Sequence, residues 1–310
     1  MIQRTFPKTG WDVGVIGFGA WGIGGQWGPV ERQTAIDTMH AAIDAGMNFL
    51  DTADAYGDPP GTSERLMAEL LKDRRDQVYV ATKVGNFARR SGHPLPFTHW
   101  LHVDLCCDAS LRRMKIDTID LYQCHLGGCT EPDVFLEAFD RLIDAGKIRA
   151  FGISTDRVEV LQAFNRDGKC ASNQLDYSFL NRSAEQELLH YCQQAEIATI
   201  IRGPLHKGVA TGKFNRQTTF TDSVRDRNWN QGDGREQFLH KLDVVDRVRD
   251  ATGRTQGALA DLALGYVISH PAVTVAIPGA KNPEQAKANA AAGQAVLDDA
   301  TLDAIRRVTA

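Results

Sequence analysis

Four polar residues with complementary chemistry stand at the ends of three successive apolar segments of the sequence. Asp51 closes the first of these segments, and Tyr56 lies in the polar turn that follows it. Lys83 comes directly after the second segment, and His125 follows the third. If the three segments are neighbouring parallel strands, their carboxyl ends lie at one mouth of the fold. We therefore predict that the four side chains converge there.

The four side-chain types suit proton donation to an oxygen that becomes negatively charged. A tyrosine hydroxyl has an ordinary pKa of about 10, so it donates readily near neutrality only if its site lowers that pKa. We expect the ammonium of Lys83 to lower the pKa of Tyr56 by favouring the phenolate, while Asp51 keeps that ammonium in place and charged. His125 can orient the same substrate oxygen. Hydride addition to a carbonyl builds negative charge on oxygen in this way.

The elements that must position these residues alternate between short apolar strands and segments of helical periodicity. Strands are predicted at residues 13–17, 47–51, 78–82, 118–123, 148–153, 172–175, 197–201 and 273–277. Helices are predicted at residues 33–45, 63–72, 99–113, 133–145, 157–166, 184–195 and 234–269. The strands are apolar throughout, which is typical of parallel strands that are buried on both faces.

An alternating strand and helix pattern indicates an α/β fold, either an open doubly wound sheet or a closed barrel. Eight units without a linker at the midpoint favour the closed (β/α)8 TIM barrel, as a single domain over residues 1–310. Because such a barrel needs about 250 residues, the chain has length to spare. We assign the surplus to an N-terminal β-hairpin (2–13), a long loop (203–233) and a C-terminal helical extension (283–309).

Composition excludes several classes of protein. The chain has 310 residues, of which 43% are hydrophobic, and a net charge of −4, so no basic face for nucleic acid is expected. No apolar stretch is long enough for a membrane span, and the N-terminus does not read as a signal peptide. Six cysteines do not make a disulfide framework, which favours reduced thiols and a cytoplasmic location. We predict no metal site, because no cysteine or carboxylate set completes the histidines near Trp100.

Residues 17–22, GFGAWG, match the glycine pattern of a Rossmann dinucleotide site. That pattern must open directly into a helix. Here it continues into residues 23–29, IGGQWGP, which cannot form one. We therefore interpret these glycines as a loop at the C-terminal end of a barrel strand, where barrel enzymes place their active sites.

Several segments together resemble the aldo-keto reductase superfamily. The longest is residues 46–57, GMNFLDTADAYG, and others lie at residues 8–10, 81–83, 120–125, 203–205, 211–213 and 277–279. The resemblance covers nearly the whole chain. It implies a (β/α)8 barrel that reduces aldehydes and ketones with a nicotinamide cofactor. It also implies a catalytic tetrad of Asp51, Tyr56, Lys83 and His125, with Tyr56 as the general acid.

The resemblance also implies cofactor-binding positions, from the nicotinamide to the adenosine end. These are Gly19, Ala20, Trp21, Ser154, Thr155, Gln174, Arg202, Gly203, Pro204, Leu205, Lys207, Gly208, Lys213, Gly279, Lys281, Gln285 and Asn289. Three of them depart from the family pattern. Thr155 stands where many members have asparagine, and Arg202 stands where many stack an aromatic ring on the nicotinamide. Gln285 replaces a common arginine, which leaves Lys281 as the expected partner of an NADP(H) phosphate.

The expected function is NADP(H)-dependent reduction of an aldehyde, ketone or sugar carbonyl, with NAD(H) as the alternative cofactor. Trp21, Phe87 and Trp229 fall in loops at the mouth, where we predict a pocket for a small-molecule substrate. The alternative is a regulatory subunit of the same fold that binds the cofactor with little turnover. A barrel isomerase or lyase without nicotinamide is a third reading. Neither the substrate nor the oligomeric state follows from the sequence.

Overall fold

The computed structural model describes residues 1–90 and 92–309, within which ten strands form a two-stranded hairpin and an eight-stranded parallel sheet. The hairpin strands are β1 (Gln3–Thr5) and β2 (Asp12–Gly14). The parallel strands are β3 (Phe18–Gly19), β4 (Phe49–Asp51), β5 (Tyr79–Val84), β6 (Ile119–Cys124), β7 (Ile148–Ser154), β8 (Ser172–Asp176), β9 (Ala198–Arg202) and β10 (Val275–Ala276). The predicted N-terminal hairpin is therefore confirmed.

Successive parallel strands are neighbours from β3 to β10, and the first and last strands then meet to close the barrel. Parallel bridges join Ile16 to Ala276 and Gly19 to Gly279. The amide of Gly17 also donates to the carbonyl oxygen of Ala276 at 2.8 Å. The predicted (β/α)8 architecture is confirmed. We call the junction between residues 16–19 and residues 276–279 the seam of the barrel.

Twelve α-helices lie within the described residues. They are α1 (Arg32–Asp44), α2 (Thr62–Arg74), α3 (Phe87–Arg90), α4 (Trp100–Met114), α5 (Asp133–Asp144), α6 (Val158–Phe164), α7 (Leu188–Gln194), α8 (Asp226–Trp229), α9 (Gly232–Thr252), α10 (Leu259–Ser269), α11 (Pro283–Ala291) and α12 (Asp299–Val308). In the described part of the chain, no helix is both long and apolar enough to span a membrane.

Two predicted element boundaries were wrong, and the predicted C-terminal extension has two parts. The first predicted strand, 13–17, is divided because Val13 pairs with Arg4 in the hairpin, and pairing to the barrel begins only at Ile16. The predicted helix 234–269 is two helices, since Gly253 adopts a left-handed φ of 62° that ends α9. Only part of the C-terminal segment 283–309 lies outside the ring of helices around the barrel. Its first helix, α11, packs against α1 within the ring, whereas α12 packs on α9 outside it.

The hairpin closes the end of the barrel opposite the predicted site. Trp11 stacks on Tyr79, the first residue of β5, with ring centroids 5.0 Å apart. Phe6 contacts Phe49 at the start of β4, with centroids 5.5 Å apart. Because these contacts are all at the amino ends of the strands, the carboxyl ends remain available for polar residues.

Candidate active site

The structure brings together the four residues predicted to carry the chemistry. Asp51 is the last residue of β4, Lys83 lies near the end of β5, and His125 directly follows β6. These strands are neighbours, with Asp51 opposite Ala81 and Lys83 opposite Gln123. Tyr56 reaches the same mouth from the turn after β4, and its ring lies edge-on to that of His125, with centroids 5.9 Å apart.

Lys83 is at the centre of this group. Its side chain is fully buried, and its ammonium donates to Asp51 Oδ1 at 2.6 Å, to the carbonyl oxygen of Thr52 at 2.7 Å and to the hydroxyl of Tyr56 at 3.3 Å. An ammonium has three N–H donors, and each one is accounted for by these contacts. The ammonium therefore has a fixed place beside the Tyr56 hydroxyl.

Two glutamines hold the second oxygen of Asp51. Gln174 Nε2 donates to Asp51 Oδ2 at 2.8 Å, and Gln123 Nε2 lies 3.3 Å from the same oxygen. Gln174 is also a predicted ligand of the nicotinamide carboxamide, and its side-chain oxygen stays available for that contact while its amide N–H holds Asp51. Gln123 was missed, although a polar residue inside the apolar strand β6, two positions before His125, could have drawn attention to it.

The pKa of Tyr56 corrects an expectation. Burial raises this pKa above its ordinary value, and Asp51 adds to the rise, whereas Lys83 lowers it by too little to compensate. Burial also opposes the charge of Lys83, but Asp51 and Tyr56 together outweigh it, and the pKa of Lys83 is raised. Near neutral pH the site therefore holds a protonated phenol beside a charged ammonium. The phenol of Tyr56 can donate a proton, and the phenolate that results would be stabilised by the adjacent ammonium of Lys83.

His125 is held as a neutral imidazole. Burial, and then the charges of Lys83 and Arg202, lower its pKa well below the ordinary value. Its Nδ1 atom is buried and has no hydrogen-bond partner within the described residues. A neutral imidazole at the mouth can bind a substrate oxygen through its other ring nitrogen, Nε2, without adding a second positive charge to the site.

The glycine-rich loop after β3 lies against Tyr56. The Trp21 ring stacks near the Tyr56 ring, with centroids 5.8 Å apart and an interplanar angle of 21°. The side-chain oxygen of Gln26 accepts from the indole N–H of Trp21 at 2.8 Å and from the amide of Gly57 at 3.0 Å. Gln26, which was not singled out in the sequence, thus ties this loop to the turn that carries Tyr56.

A family model described as "Aldo/keto reductase family" matches residues 15–310. The chain belongs to this family. The aldo-keto reductase YhdN of Bacillus subtilis (strain 168) is 32% identical over 294 residues, covering 93% of this chain and 87% of that protein. The NADH-specific methylglyoxal reductase of Escherichia coli (strain K12) is 31% identical over 312 residues, covering 94% of each chain.

Solved structures of the family have the same fold. The holo form of an aldo-keto reductase from Bacillus halodurans gives a TM-score of 0.82 at 29% identity and covers 99% of this chain and 96% of its own. An aldo-keto reductase from Klebsiella pneumoniae in complex with NADPH gives 0.75 at 29% identity, covering 99% and 95%. This aldo/keto reductase therefore shares its whole barrel with a family member that was solved in complex with NADPH.

The strand ends that follow the tetrad line the other side of the mouth in this aldo/keto reductase. Ser154 is the last residue of β7, at the mouth, and is 8% exposed; its contact with the cofactor stays a prediction. The side chain of Thr155 is engaged within the loop instead. Its hydroxyl donates to the carbonyl oxygen of Gly127 at 2.7 Å and accepts from the amide of Arg157 at 3.1 Å. Thr155 thus stabilises the loop rather than presenting its hydroxyl to a ligand.

Arg202, the last residue of β9, is half-exposed and paired with two acids. Its guanidinium hydrogen-bonds Asp156 and lies 4.0 Å from Asp176 Oδ2. These two carboxylates offset the positive charge of Arg202 at the mouth. Gly203 follows with a left-handed φ of 67°, and a Cβ atom there would lie 2.8 Å from Asp176 Oδ1. The left-handed backbone therefore favours glycine at this position, and the close approach of the acid adds to that preference.

A cluster of cations marks the far end of the predicted cofactor site. Lys281 donates to the carbonyl oxygen of Trp27. Burial, followed by the charge of Arg225, lowers the pKa values of both Lys213 and Lys281. The charge of Asp222 raises the pKa values of both lysines, but this carboxylate is already paired with Arg225, with Nε and Oδ2 2.7 Å apart. Three cations that share one acid form a suitable site for an anionic group.

The start of α11 supports the same end of the site. Asn282 caps this helix by accepting from the amide of Gln285, whose own side-chain oxygen accepts from the amide of Lys281 at 3.0 Å. Asn289 lies on the buried side of the helix and its amide group is 3.3 Å from the carbonyl oxygen of Gly279. The predicted adenosine-end residues thus form one ordered segment after β10.

The loop after β9 turns sharply where further contacts were predicted. Pro204 and Leu205 lead into a short 3-10 segment in which Lys207 and Gly208 have φ values of 55° and 90°. The ammonium of Lys207 lies 5.2 Å from the centre of the Trp229 ring. The loop is thus folded back on its own aromatic residues.

The three predicted pocket aromatics have different surroundings. Trp21 lies beside Tyr56, as a pocket wall would. Trp229 is only 5% exposed and packs among Phe220 and Phe238, because the long loop has an aromatic core of its own. Phe87 is half-buried under the guanidinium of Arg113, 5.0 Å from its ring centre. The contacts therefore favour Trp21 as a substrate contact and place Trp229 in the packing of the loop.

Proposed function

We propose that this aldo/keto reductase uses NADP(H) to reduce an aldehyde, ketone or sugar carbonyl to the alcohol, with Tyr56 as the general acid and residues 1–310 acting as one barrel domain. The observation that carries the proposal is the Tyr56 hydroxyl, held 3.3 Å from the buried ammonium of Lys83. Relatives named for methylglyoxal reduction support a small carbonyl substrate.

The residues of this chain fit a nicotinamide cofactor. Trp21, Ser154 and Arg202 surround the mouth beside the tetrad, and the cations near Lys281 lie toward the seam of the barrel. When bound, the cofactor supplies the hydride. The lysine cluster favours NADP(H), whereas the NADH-specific relative from Escherichia coli keeps NAD(H) as the alternative.

The tetrad would act on the carbonyl oxygen. Tyr56 donates its proton to this oxygen as the carbonyl carbon is reduced, which completes the alcohol. The phenolate that remains is stabilised by the ammonium of Lys83, which Asp51 keeps charged. His125 donates a hydrogen bond that orients the oxygen, and solvent later returns a proton to Tyr56.

The test is turnover with NADPH and NADH on a panel of aldehydes, ketones and sugars, with the variant Tyr56→Phe. Loss of the hydroxyl should reduce kcat by roughly 10²–10⁴-fold and leave the cofactor Kd nearly unchanged, since general acid catalysis contributes that much. Tyr191→Phe is the matched control, because the Tyr191 hydroxyl lies on α7 beside Asn165, outside the tetrad.

Two results would contradict the proposal. If Tyr56→Phe keeps more than a tenth of the wild-type kcat, Tyr56 is not the acid. If the wild type binds NADPH but turns over no carbonyl, the regulatory alternative is favoured.

A further inference from the structure

Asp54, a buried residue of the turn between Asp51 and Tyr56, fastens this turn to the segment after Lys83. Its carboxylate oxygen Oδ2 accepts from the amide of Gly85 at 3.2 Å and from the amide of Phe87 at 3.3 Å. Its own amide lies 3.4 Å from the carbonyl oxygen of Lys83. The side chain is 2% exposed, so water does not compete for these bonds.

The segment 85–87 continues the connection to His125. The side-chain amide of Asn86 donates to the carbonyl oxygen of His125 at 3.0 Å. Gly85 has a φ of 132°, and a Cβ atom there would lie 2.8 Å from Cγ of Leu126, the residue after His125. We call residues 85–87 the bridge, since they contact the Tyr56 turn on one side and the His125 loop on the other.

The charge of Asp54 is poorly compensated. Its second oxygen, Oδ1, has no hydrogen-bond partner among the described residues. Glu64 of α2 faces it as a second buried carboxylate, and Arg113 of α4 already hydrogen-bonds Glu64. Burial, and then the charge of Glu64, raise the pKa of Asp54 to about 7. The carboxyl group therefore changes charge near physiological pH.

Three further titratable groups near Asp54 are neutral in that range. Burial raises the pKa of Cys106 on α4 to about 11 and holds those of Tyr122 and Cys124 on β6 well above their ordinary values. All three are neutral near pH 7. Cys129, in the loop after His125, is the exception, because its hydrogen bond with Cys124 lowers its pKa to about 7. A transition of Cys129 is common to the wild type and to a variant of Asp54, so it cancels in their ratio.

We propose that Asp54 is a positioning residue for the proposed carbonyl reduction, and that its ionised carboxylate, acting through the bridge, fixes Tyr56 relative to Lys83 and His125. The inference rests on the proposed function. A carboxylate accepts a hydrogen bond from an amide more strongly than a neutral carboxyl group does. When Asp54 is protonated, the bridge is held less firmly and the reacting groups are less well aligned, which lowers kcat because alignment of this kind strongly affects rate.

The test compares kcat of the wild type with that of Asp54→Asn across pH. Asparagine has the same shape and its Oδ1 can still accept both amides, but it carries no charge. Above pH 7 the wild type should be about tenfold faster, whereas below about pH 6 the two rates should converge because Asp54 is then neutral as well. The midpoint of the ratio should lie at about pH 7. The Kd of the cofactor should not change.

Asp58→Asn is the matched control, since Asp58 lies in the same turn but is exposed. Its kcat ratio to the wild type should stay close to one at every pH. A constant ratio for Asp54→Asn across the range would overturn the proposal.

A purely structural role predicts a different result. Because the charged form of Asp54 is unfavourable in the folded state, Asp54→Asn should melt at the same or a higher temperature than the wild type at about pH 8.5, while turning over more slowly. Parallel loss of Tm and kcat at all pH values would mean that Asp54 only packs the turn, and would also overturn the proposal.

Two further measurements separate this inference from the proposed function. Asn86→Ala removes the contact between the bridge and His125 and should lower kcat several-fold above pH 7, where Asp54 is ionised. An unchanged kcat at that pH contradicts the bridge. The amide resonances of Gly85 and Phe87 should shift with a midpoint at about pH 7 in the wild type and not in Asp54→Asn. This titration needs no turnover, so a wild type that reduces no carbonyl defeats the proposed function while the amides still report whether Asp54 holds the bridge.

Discussion

At the scale of single residues, the geometry of the site depends on the hydrogen bonds made by the buried side chains of Lys83 and Asp51. The three donors of Lys83 and the two oxygens of Asp51 are all engaged, so neither side chain can turn away from Tyr56. A buried ion pair of this kind adds little to stability compared with apolar packing. Its effect is geometric, because it gives the Tyr56 hydroxyl a charged neighbour at a fixed distance.

Lys281 makes a residue-scale prediction about cofactor choice. Lys281→Ala should weaken NADPH binding about tenfold and NADH binding less than twofold, because the 2′-phosphate is the only group that differs. A charge-assisted hydrogen bond of about 1.5–3 kcal/mol, reduced by solvent at a half-exposed lysine, gives a loss of this size. Dissociation constants from cofactor fluorescence at one ionic strength measure it.

The control for this change is Lys287→Ala, which removes the same charge from an exposed position of α11. It should leave both dissociation constants within about twofold of wild type. Equal losses for NADPH and NADH in Lys281→Ala would show that this lysine does not contact the phosphate.

At the scale of elements, loops after the strands position the chemistry by approaching one another very closely. A Cβ atom on Gly24 would lie 2.6 Å from Cα of Gly57, and one on Gly57 would lie 2.5 Å from Cβ of Thr62. The loop after β3, the Tyr56 turn and the start of α2 are therefore in backbone contact. This backbone contact adds to the hydrogen bonds of Gln26 and Asp54 in holding the turn that carries Tyr56.

Gly57→Ala tests this close approach. The position has a φ of 107°, so an alanine suffers backbone strain as well as the clash with Thr62. We expect a loss of about 2–4 kcal/mol in the free energy of unfolding, together with a lower kcat, because Tyr56 is the adjacent residue. Chemical denaturation and steady-state kinetics on the same preparation measure the two effects.

Gly146→Ala separates strain from the clash. Gly146 also has a left-handed φ, of 70°, but no atom lies within 4 Å of its would-be Cβ. It should lose only about 1 kcal/mol and keep its kcat. Similar losses for both variants would mean that the close approach to Thr62 relaxes at little cost.

At the scale of the whole molecule, the barrel uses its two ends differently. The hairpin fills the amino ends of the strands with aromatic packing around Phe6 and Trp11. At the other end, the proposed cofactor residues come from both sides of the seam where residues 16–19 meet 276–279. A ligand bound there would contact both the N-terminal and the C-terminal segments that form the seam.

Ligand stabilisation provides a prediction at this scale. NADPH at a hundred times its Kd should stabilise the folded chain by about 2.7 kcal/mol, because only the folded barrel assembles the site. This should appear as a rise of a few degrees in Tm by thermal denaturation, in the wild type and equally in Tyr56→Phe. Lack of any rise with NADPH or NADH would contradict a nicotinamide cofactor.

Much of the barrel could be predicted because its signals are local. Apolar runs of strand length alternate with helices, and the strand ends that carry Asp51, Lys83 and His125 are adjacent in any parallel barrel. The element boundaries at residues 13–17 and 234–269 were wrong because hairpin pairing and a single left-handed glycine decided them.

The sequence by itself determined the fold class and which four residues meet, since both follow from chain order and the geometry of parallel strands. Only the tertiary structure decided the burial, the hydrogen-bond partners and the pKa shifts of those residues. The direction of the pKa shift of Tyr56 depends on burial by the whole mouth, which no local pattern records. The partners of Gln174 and Arg202 lie 123 and 46 residues away in the chain. Contacts at such separations are selected by packing, and packing is a property of the assembled barrel.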